Sequence, residues 1–150
     1  MEINTALIWK KQPEEVFEKG KYSRIHEWRF DGGESILVSS SPIIVPIPYS
    51  DENLMDPEEA FVTSIGSCHM LFFLSIASKK GVVVEKYEDF PKGYLGIQSS
   101  HRVIEKIILN PKVEYQGKSV GVEQEKELHK EAHLRCFLAN SVKTKIEINL

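Results

Sequence analysis

DPEEAFVTSIGSCHMLFFLSIASKKG, residues 56–81, is the stretch whose reading decides the fold. Asp56 suits a helix N-cap, Pro57 the first helical position, and Glu59 completes a capping box three residues after the cap, so a helix is predicted from Pro57. It is predicted to stop at Gly81, after the Lys79-Lys80 pair that complements the negative helix end. Phe61, Ile65, Cys68, Phe72 and Ile76 share one stripe, and Val62, Leu71, Phe73, Leu74 and Ala77 make most other faces apolar as well. A helix apolar nearly all round is a buried one. Thr63, Ser64, Gly66, Ser67 and His69 interrupt the run, so it reads as a core helix short of a membrane span.

Cys68 is one of two cysteines and lies mid-helix. A buried thiol in such a place is ordinarily inert packing. A reactive thiol needs its thiolate stabilised, because an ordinary thiol of pKa about 8.5 is only a few per cent ionised at neutral pH. The helix dipole fades after the first turn and does not reach it. Either Gly66-Ser67 breaks the helix and Cys68 starts a new one, or an Arg or Lys must come from elsewhere.

The 150 residues, 41% of them hydrophobic, suit a single domain spanning 1–150 with a substantial core. A net charge of −3 argues against a nucleic-acid or anionic-membrane surface, which needs clustered Lys and Arg. The opening MEINTALIWKK lacks the basic-then-apolar layout of a secretion signal, so the expected address is cytoplasmic. Two cysteines there are expected to be free or redox-active rather than a permanent bridge.

Elsewhere Ile3, Thr5, Leu7 and Trp9 alternate with their neighbours, predicting a first strand with one face in the core. Tyr22 to Phe30 alternates again, Asp31-Gly32-Gly33 signals a hairpin turn, and Ser35 to Ser39 returns. Pro42, Pro46 and Pro48 make Ser40 to Met55 an extended loop. A strand is expected in Val82 to Lys86, turns in Glu88 to Gly96, and a central strand at Val103 to Leu109, prolonged beyond Pro111 by Val113 and Tyr115. A second helix is predicted over Val122 to Ala139, with Leu128, Ala132 and Cys136 on its apolar stripe. Val142 to Leu150 alternates as a final strand. Strands, helix, strands, helix and strand make the class α+β.

With both cysteine neighbourhoods in view, the chain resembles the OsmC/Ohr family, the osmotically inducible and organic hydroperoxide resistance proteins. DPEEAFVTSIGSC resembles that family's helix entry, and CFLANSVKTKIEINL its tail, in which the second cysteine precedes a small polar turn and a closing strand. The resemblance implies an OsmC-like fold, with antiparallel sheets wrapping a long buried central helix in an intertwined homodimer. It also implies a thiol-dependent peroxidase with active sites at the subunit interface and no cofactor. Cys68 would attack an organic hydroperoxide and Cys136 would resolve the product into a disulfide. A dithiol, possibly lipoyl, would reduce that bond. Glu58 matches the family's glutamate beside the thiol, and Arg24 its arginine, with Arg29 the alternative on the opposite strand face. Phe137 and Ala139 stand where the family usually has Pro and Ser, and Lys21-Tyr22-Ser23 replaces a Gly-rich approach to the arginine.

Such chemistry needs a thiolate and a stabilised leaving alkoxide, and a guanidinium serves both. Lowering a thiol by about two units takes on the order of 3 kcal/mol of differential interaction. Ten residues of helix is about 15 Å of rise, so Glu58 is expected to act through the arginine rather than on the sulfur. Glu58 equally suits a helix N-terminus with no further role. Phe61, Met70, Phe72 and Phe73, with the proline loop, are candidates for an apolar mouth, and His26 and His69 for its flanks. Two other classes stay open. His129, His133 and Cys136, at i, i+4 and i+7, have a spacing that suits three metal ligands on one helix side, although Lys130 and Glu131 favour a solvated face. A non-enzymatic ligand carrier would keep the same fold with idle thiols.

Overall fold

The helix predicted at residue 57 forms and runs unbroken from Pro57 to Lys79 as α1. Its entry is a reciprocal capping box. The Glu59 backbone N–H donates to Asp56 Oδ1 at 2.8 Å, and the Asp56 N–H donates to Glu59 Oε2 at 3.2 Å. Its exit is a Schellman turn in which the N–H groups of Val82 and Gly81 reach the carbonyls of Ala77 and Ser78 at 2.9 and 3.0 Å. Gly81 takes φ +73° there, a conformation side chains with a Cβ resist.

The computed structural model describes residues 1–117 and 120–150 and forms two compact units, Met1–Ala60 and Phe61–Leu150. The first holds β1 (Thr5–Ile8), β2 (His26–Phe30) and β3 (Ser35–Val38) in one antiparallel sheet, order β1-β2-β3, with Leu7 opposite Trp28 and Trp28 opposite Ile36. The predicted hairpin joins β2 to β3, but β2 starts at His26, so Arg24 precedes the strand. The core face expected of β1 is absent within this unit: all four residues are exposed, Leu7 at 70%. The proline-bearing segment returns to the sheet where Ser39 N–H donates to the Met55 carbonyl at 3.1 Å.

The second unit packs two layers against α1. Ile65, with Phe61 and Val62, meets Ile107 and Leu109 of a sheet built from β5 (Lys92–Gln98), β6 (His101–Leu109) and β8 (Lys145–Ile148), with β6 central as its two apolar faces predict. Phe73, Ile76 and Ala77 meet Leu128 and Ala132 of α2 (Val122–Arg135) and the ribbon β4 (Val84–Glu88) with β7 (Lys112–Tyr115).

Several expectations are corrected here. Residues 92–98 are a strand rather than turns, because Gly93 serves close packing: a Cβ there would sit 2.5 Å from Val62 Cγ2. Val113 and Tyr115 belong to a separate strand of another sheet, since Asn110 and Pro111 end β6. The sheets are not all antiparallel, as β8 runs parallel to β6. Gly66 does not break α1; it gives the Asp89–Pro91 connection room to approach, with Pro91 Cγ 3.4 Å from where a Cβ would stand. Nor is α1 covered all round, for Ser67, Leu71 and Ser75 form an exposed stripe. By length and composition alone α1 could span a membrane, yet Ile65, Gly66, His69, Phe73, Ile76 and Ala77 are buried in protein.

Candidate functional site

Cys68 lies on α1 between the residues that feed the two cores, Ile65 before it and Phe73 after it, and remains half-buried. Cys136 is fully buried. It is not inside the second helix, as its apolar periodicity predicts, but caps it: the α-helix ends at Arg135 and Cys136 turns to an extended backbone. Asn140 holds that turn. Its side-chain amide donates to the carbonyls of Leu134 and Cys136, both at 3.0 Å, and its backbone N–H donates to Cys136 O at 3.1 Å. The chain therefore leaves α2 with the cysteine aimed inward and then makes a 3-10 turn, Ala139–Ser141.

The structure brings the two thiols near enough for Cys68 to influence the ionisation of Cys136. Burial, and then the neighbouring Cys68 thiol, push the Cys136 thiol up to about 11, while the Ala139 N–H donating to its Sγ at 3.4 Å opposes that rise. Cys136 is thus a protonated thiol at neutral pH beside a more accessible one. Both cysteines are free. Phe72, one turn after Cys68, meets Phe137, next to Cys136, edge to face at 5.1 Å between centroids. Phe137 is thus tied to α1 through its ring.

Other candidates separate. Phe73 is fully buried against Tyr87 and His129, which corrects its place in an apolar mouth. Phe61 packs beside Ile65 and lines a groove with Ile97, Val103 and Thr144. His129 is buried too, correcting the solvated face expected of it. Its Nδ1 is 2.9 Å from His69 Nε2, with the two ring planes parallel. His129, His133 and Cys136 do not assemble as a ligand set. Among the described residues no three His, Cys, Asp or Glu side chains are gathered as a metal requires. The His69–His129 pair is a structural feature of the core that the sequence reading missed. Its one signal was a histidine on each helix amid apolar neighbours.

Arg24, Glu58 and Arg29 belong to the first unit. Glu58 is half-buried in the first turn of α1. Among the described residues no ion pair joins it to Arg24, whose Nη1 donates instead to the carbonyls of Gly20, at 3.0 Å, and Tyr22. Arg29 is exposed and held by Glu27 through two hydrogen bonds, 2.9 and 3.0 Å, which hold the Glu27 carboxyl below its ordinary range. His26 is locked as the neutral Nδ1–H tautomer, because Nδ1 donates to the Arg24 carbonyl at 2.8 Å and Nε2 accepts from Trp28 Nε1 at 2.9 Å.

None of the curated proteins matches the chain in sequence. Among solved structures, an OsmC-like protein of unknown function from Vibrio cholerae is 44% identical, over 99% of this chain and 98% of its own, with a TM-score of 0.96. An OsmC-like protein from Mycoplasma pneumoniae, 13% identical over 99% of this chain and 95% of its own, has a TM-score of 0.74. An organic hydroperoxide resistance protein from Elizabethkingia anophelis, 16% identical over 99% of this chain and 92% of its own, has a TM-score of 0.69. At those two identities the likeness is one of fold. The family model described as OsmC-like protein matches residues 50–150, which hold both cysteines, and the chain belongs to that family, with its α+β fold.

Proposed function

We propose that this protein is a thiol-dependent peroxidase that reduces organic hydroperoxides to alcohols. The observation that carries the reading is the meeting of a half-buried Cys68 with a buried, protonated Cys136 in a chain of the OsmC-like family. The Cys68 thiolate attacks the peroxide oxygen bearing hydrogen. The O–O bond breaks, Cys68 becomes a sulfenic acid, and the departing alkoxide takes a proton to leave as the alcohol. Cys136 then attacks the Cys68 sulfur, its proton leaves with the hydroxyl as water, and a Cys68–Cys136 disulfide remains. An external dithiol, such as a lipoyl group, supplies two electrons and two protons to restore both thiols.

In this reading Arg24 serves the thiolate and the leaving oxygen, and Glu58 orients Arg24 in the assembled protein. Arg29 is the weaker choice because Glu27 already occupies its fork. A second copy of the chain is the partner we propose for the exposed apolar residues of the first unit, among them Leu7, Leu37 and Ile43. A reducing cytoplasm suits a cycle that depends on free thiols.

The test is reduced protein treated with one equivalent of cumene hydroperoxide, followed by mass mapping of its thiols. The expected result is consumption of the peroxide with an internal Cys68–Cys136 disulfide. Unchanged peroxide turnover in Cys68→Ser overturns the reading.

A further inference from the structure

Residues 9–24 are organised by side chains more than by regular elements. The Trp9 indole N–H donates to the Ser23 carbonyl at 2.8 Å. The Glu15 carboxylate accepts from the backbone N–H groups of Ser23, at 2.6 Å, and Gln12, at 2.8 Å. Phe17 stacks on Tyr22 at 4.5 Å between centroids, and Trp9 closes edge-on against Tyr22 at 5.5 Å. The ring of Tyr22 is therefore fixed from one side by two other rings. On Tyr22 rests the guanidinium of Arg24, its central carbon 3.5 Å from the ring centroid.

Arg24 is held through its backbone and through Nη1 as well. Its backbone N–H donates to the Tyr49 carbonyl at 2.8 Å, and its own carbonyl accepts from His26. Nη1 is tied to Gly20 and Tyr22. Among the described residues, Nε and Nη2 donate no hydrogen bond, and the Glu15 carboxylate interacts with the guanidinium through charge alone. A planar cation clamped by a ring on its face and by carbonyls at one nitrogen keeps one edge to offer. That edge is a two-donor fork matched to an anion or to paired oxygens. A free arginine would have to give up rotamer freedom to present the same edge.

We infer that Tyr22 is a positioning residue for the peroxidase reaction: its ring holds the Arg24 guanidinium so that the Nε–Nη2 edge is kept oriented for the role proposed for Arg24. The inference rests on the proposed function and on the assignment of Arg24 within it. Cation–π stacking at a partly covered site corresponds to a factor of about 3 to 30 in the population of the held orientation. Losing the ring costs that factor in the reaction while leaving the chemical groups in place.

The experiment compares wild type with Tyr22→Phe, Tyr22→Leu, Arg24→Ala and the Tyr22→Leu/Arg24→Ala pair. It reads kcat/KM for cumene hydroperoxide and the rate of Cys68 alkylation by iodoacetamide at pH 6. Tyr22→Phe, which keeps the ring, is expected within about twofold of wild type, and Tyr22→Leu about 3- to 30-fold slower in both measurements. Arg24→Ala is expected at least as slow, with no further loss in the double variant. Proton NMR of the wild type supplies a readout independent of any variant: the Arg24 δ-methylene signals are expected to be shifted upfield by the Tyr22 ring current. Unshifted signals in folded wild type overturn the inference even where Tyr22→Leu does not fold. Wild-type rates in Tyr22→Leu together with slow Arg24→Ala overturn it and leave the peroxidase reading intact. Slow Tyr22→Phe, or a further loss when Tyr22→Leu is added to Arg24→Ala, overturns it as well. Wild-type rates in Arg24→Ala overturn the Arg24 assignment and this inference with it.

Discussion

His69 on α1 and His129 on α2 share a hydrogen bond of 2.9 Å between Nε2 and Nδ1, with their rings 3° from parallel. Only one proton fits between the two nitrogens. Burial lowers His69 to about 3, helped by the neighbouring His129 and His133, and burial lowers His129 to about 4. Both are therefore neutral in the folded protein at neutral pH, a pair that joins the helices without charge.

A pH dependence of stability follows from that pair. Both folded values lie below the ordinary 6.5, so the contribution is whole above pH 6.5 and is lost as pH falls toward 4, because only the unfolded chain binds the protons. Two histidines give a slope of about 2.7 kcal/mol per pH unit once pH is well below 6.5, large against a typical total of 5–15 kcal/mol. Urea unfolding at pH 7.0, 6.0, 5.0 and 4.5 is expected to show a steep decline. His69→Leu alone leaves His129 Nδ1 without a partner and is expected to cost about 1–3 kcal/mol at pH 7. His69→Leu/His129→Leu is expected to flatten the decline, and an unchanged slope in that double variant would contradict the assignment.

Cys136 makes a second, chemical expectation. At pH 8 a thiol raised to about 11 is on the order of 0.1% ionised, against roughly a quarter for an ordinary thiol. Iodoacetamide added to reduced native protein is expected to modify Cys68 and to leave Cys136 about two orders of magnitude slower than a free cysteine. In denaturant both are expected to react alike. In peroxide, Cys136→Ser is expected to halt cycling and carry Cys68 to the sulfinic acid, visible as a mass gain of two oxygens.

How much of this was legible in the sequence depends on whether a residue's signal was local. Asp56, Pro57, Glu59 and Gly81 act within one helical turn of themselves, and they set the ends of α1 as read. The double-faced apolar run of β6 was likewise self-sufficient. Gly93 and Cys136 were misread because their reasons lie across the fold. Glycine at 93 answers Val62 on α1 rather than a turn, and Cys136 leaves the helix because Asn140 caps its carbonyl. The meeting of Cys68 with Cys136 was legible only through resemblance, since no spacing rule brings α1 beside the end of α2. His129 carried a charge-flanked context that hid its burial, because one residue of rotation on a helix separates Lys130 from the core.

The ends of α1 allow a stability measurement at each. Asp56→Ala removes the acceptor for the Glu59 N–H and is expected to cost about 1 kcal/mol. For a chain of this length that is about 2–4 °C in Tm. Gly81→Ala forces a Cβ into φ +73° and is expected to cost a similar amount, of order 1 kcal/mol. The sites lie at opposite ends of the helix and share no partner, so the double variant is expected to lose their sum to within about 0.5 kcal/mol.

Gly93 gives the sharpest test of how β5 sits on α1. A methyl group there would stand 2.5 Å from Val62 Cγ2 and 3.7 Å from Ile104 Cγ2, so the strand, the helix or the stiff Val62 side chain must give way to admit it. Overpacking of this kind costs about 1–3 kcal/mol, against the roughly 0.5–1 kcal/mol that a β-strand gains when alanine replaces glycine. Gly93→Ala is therefore expected to lower stability by up to about 2 kcal/mol net in urea unfolding. Val62→Ala removes the obstructing methyls and costs about 1 kcal/mol of lost burial by itself. The pair Gly93→Ala/Val62→Ala is expected to be more stable than the sum of the two losses by about 1 kcal/mol or more, a coupling that only direct contact produces. Simple additivity would mean that β5 and α1 do not approach through these two residues.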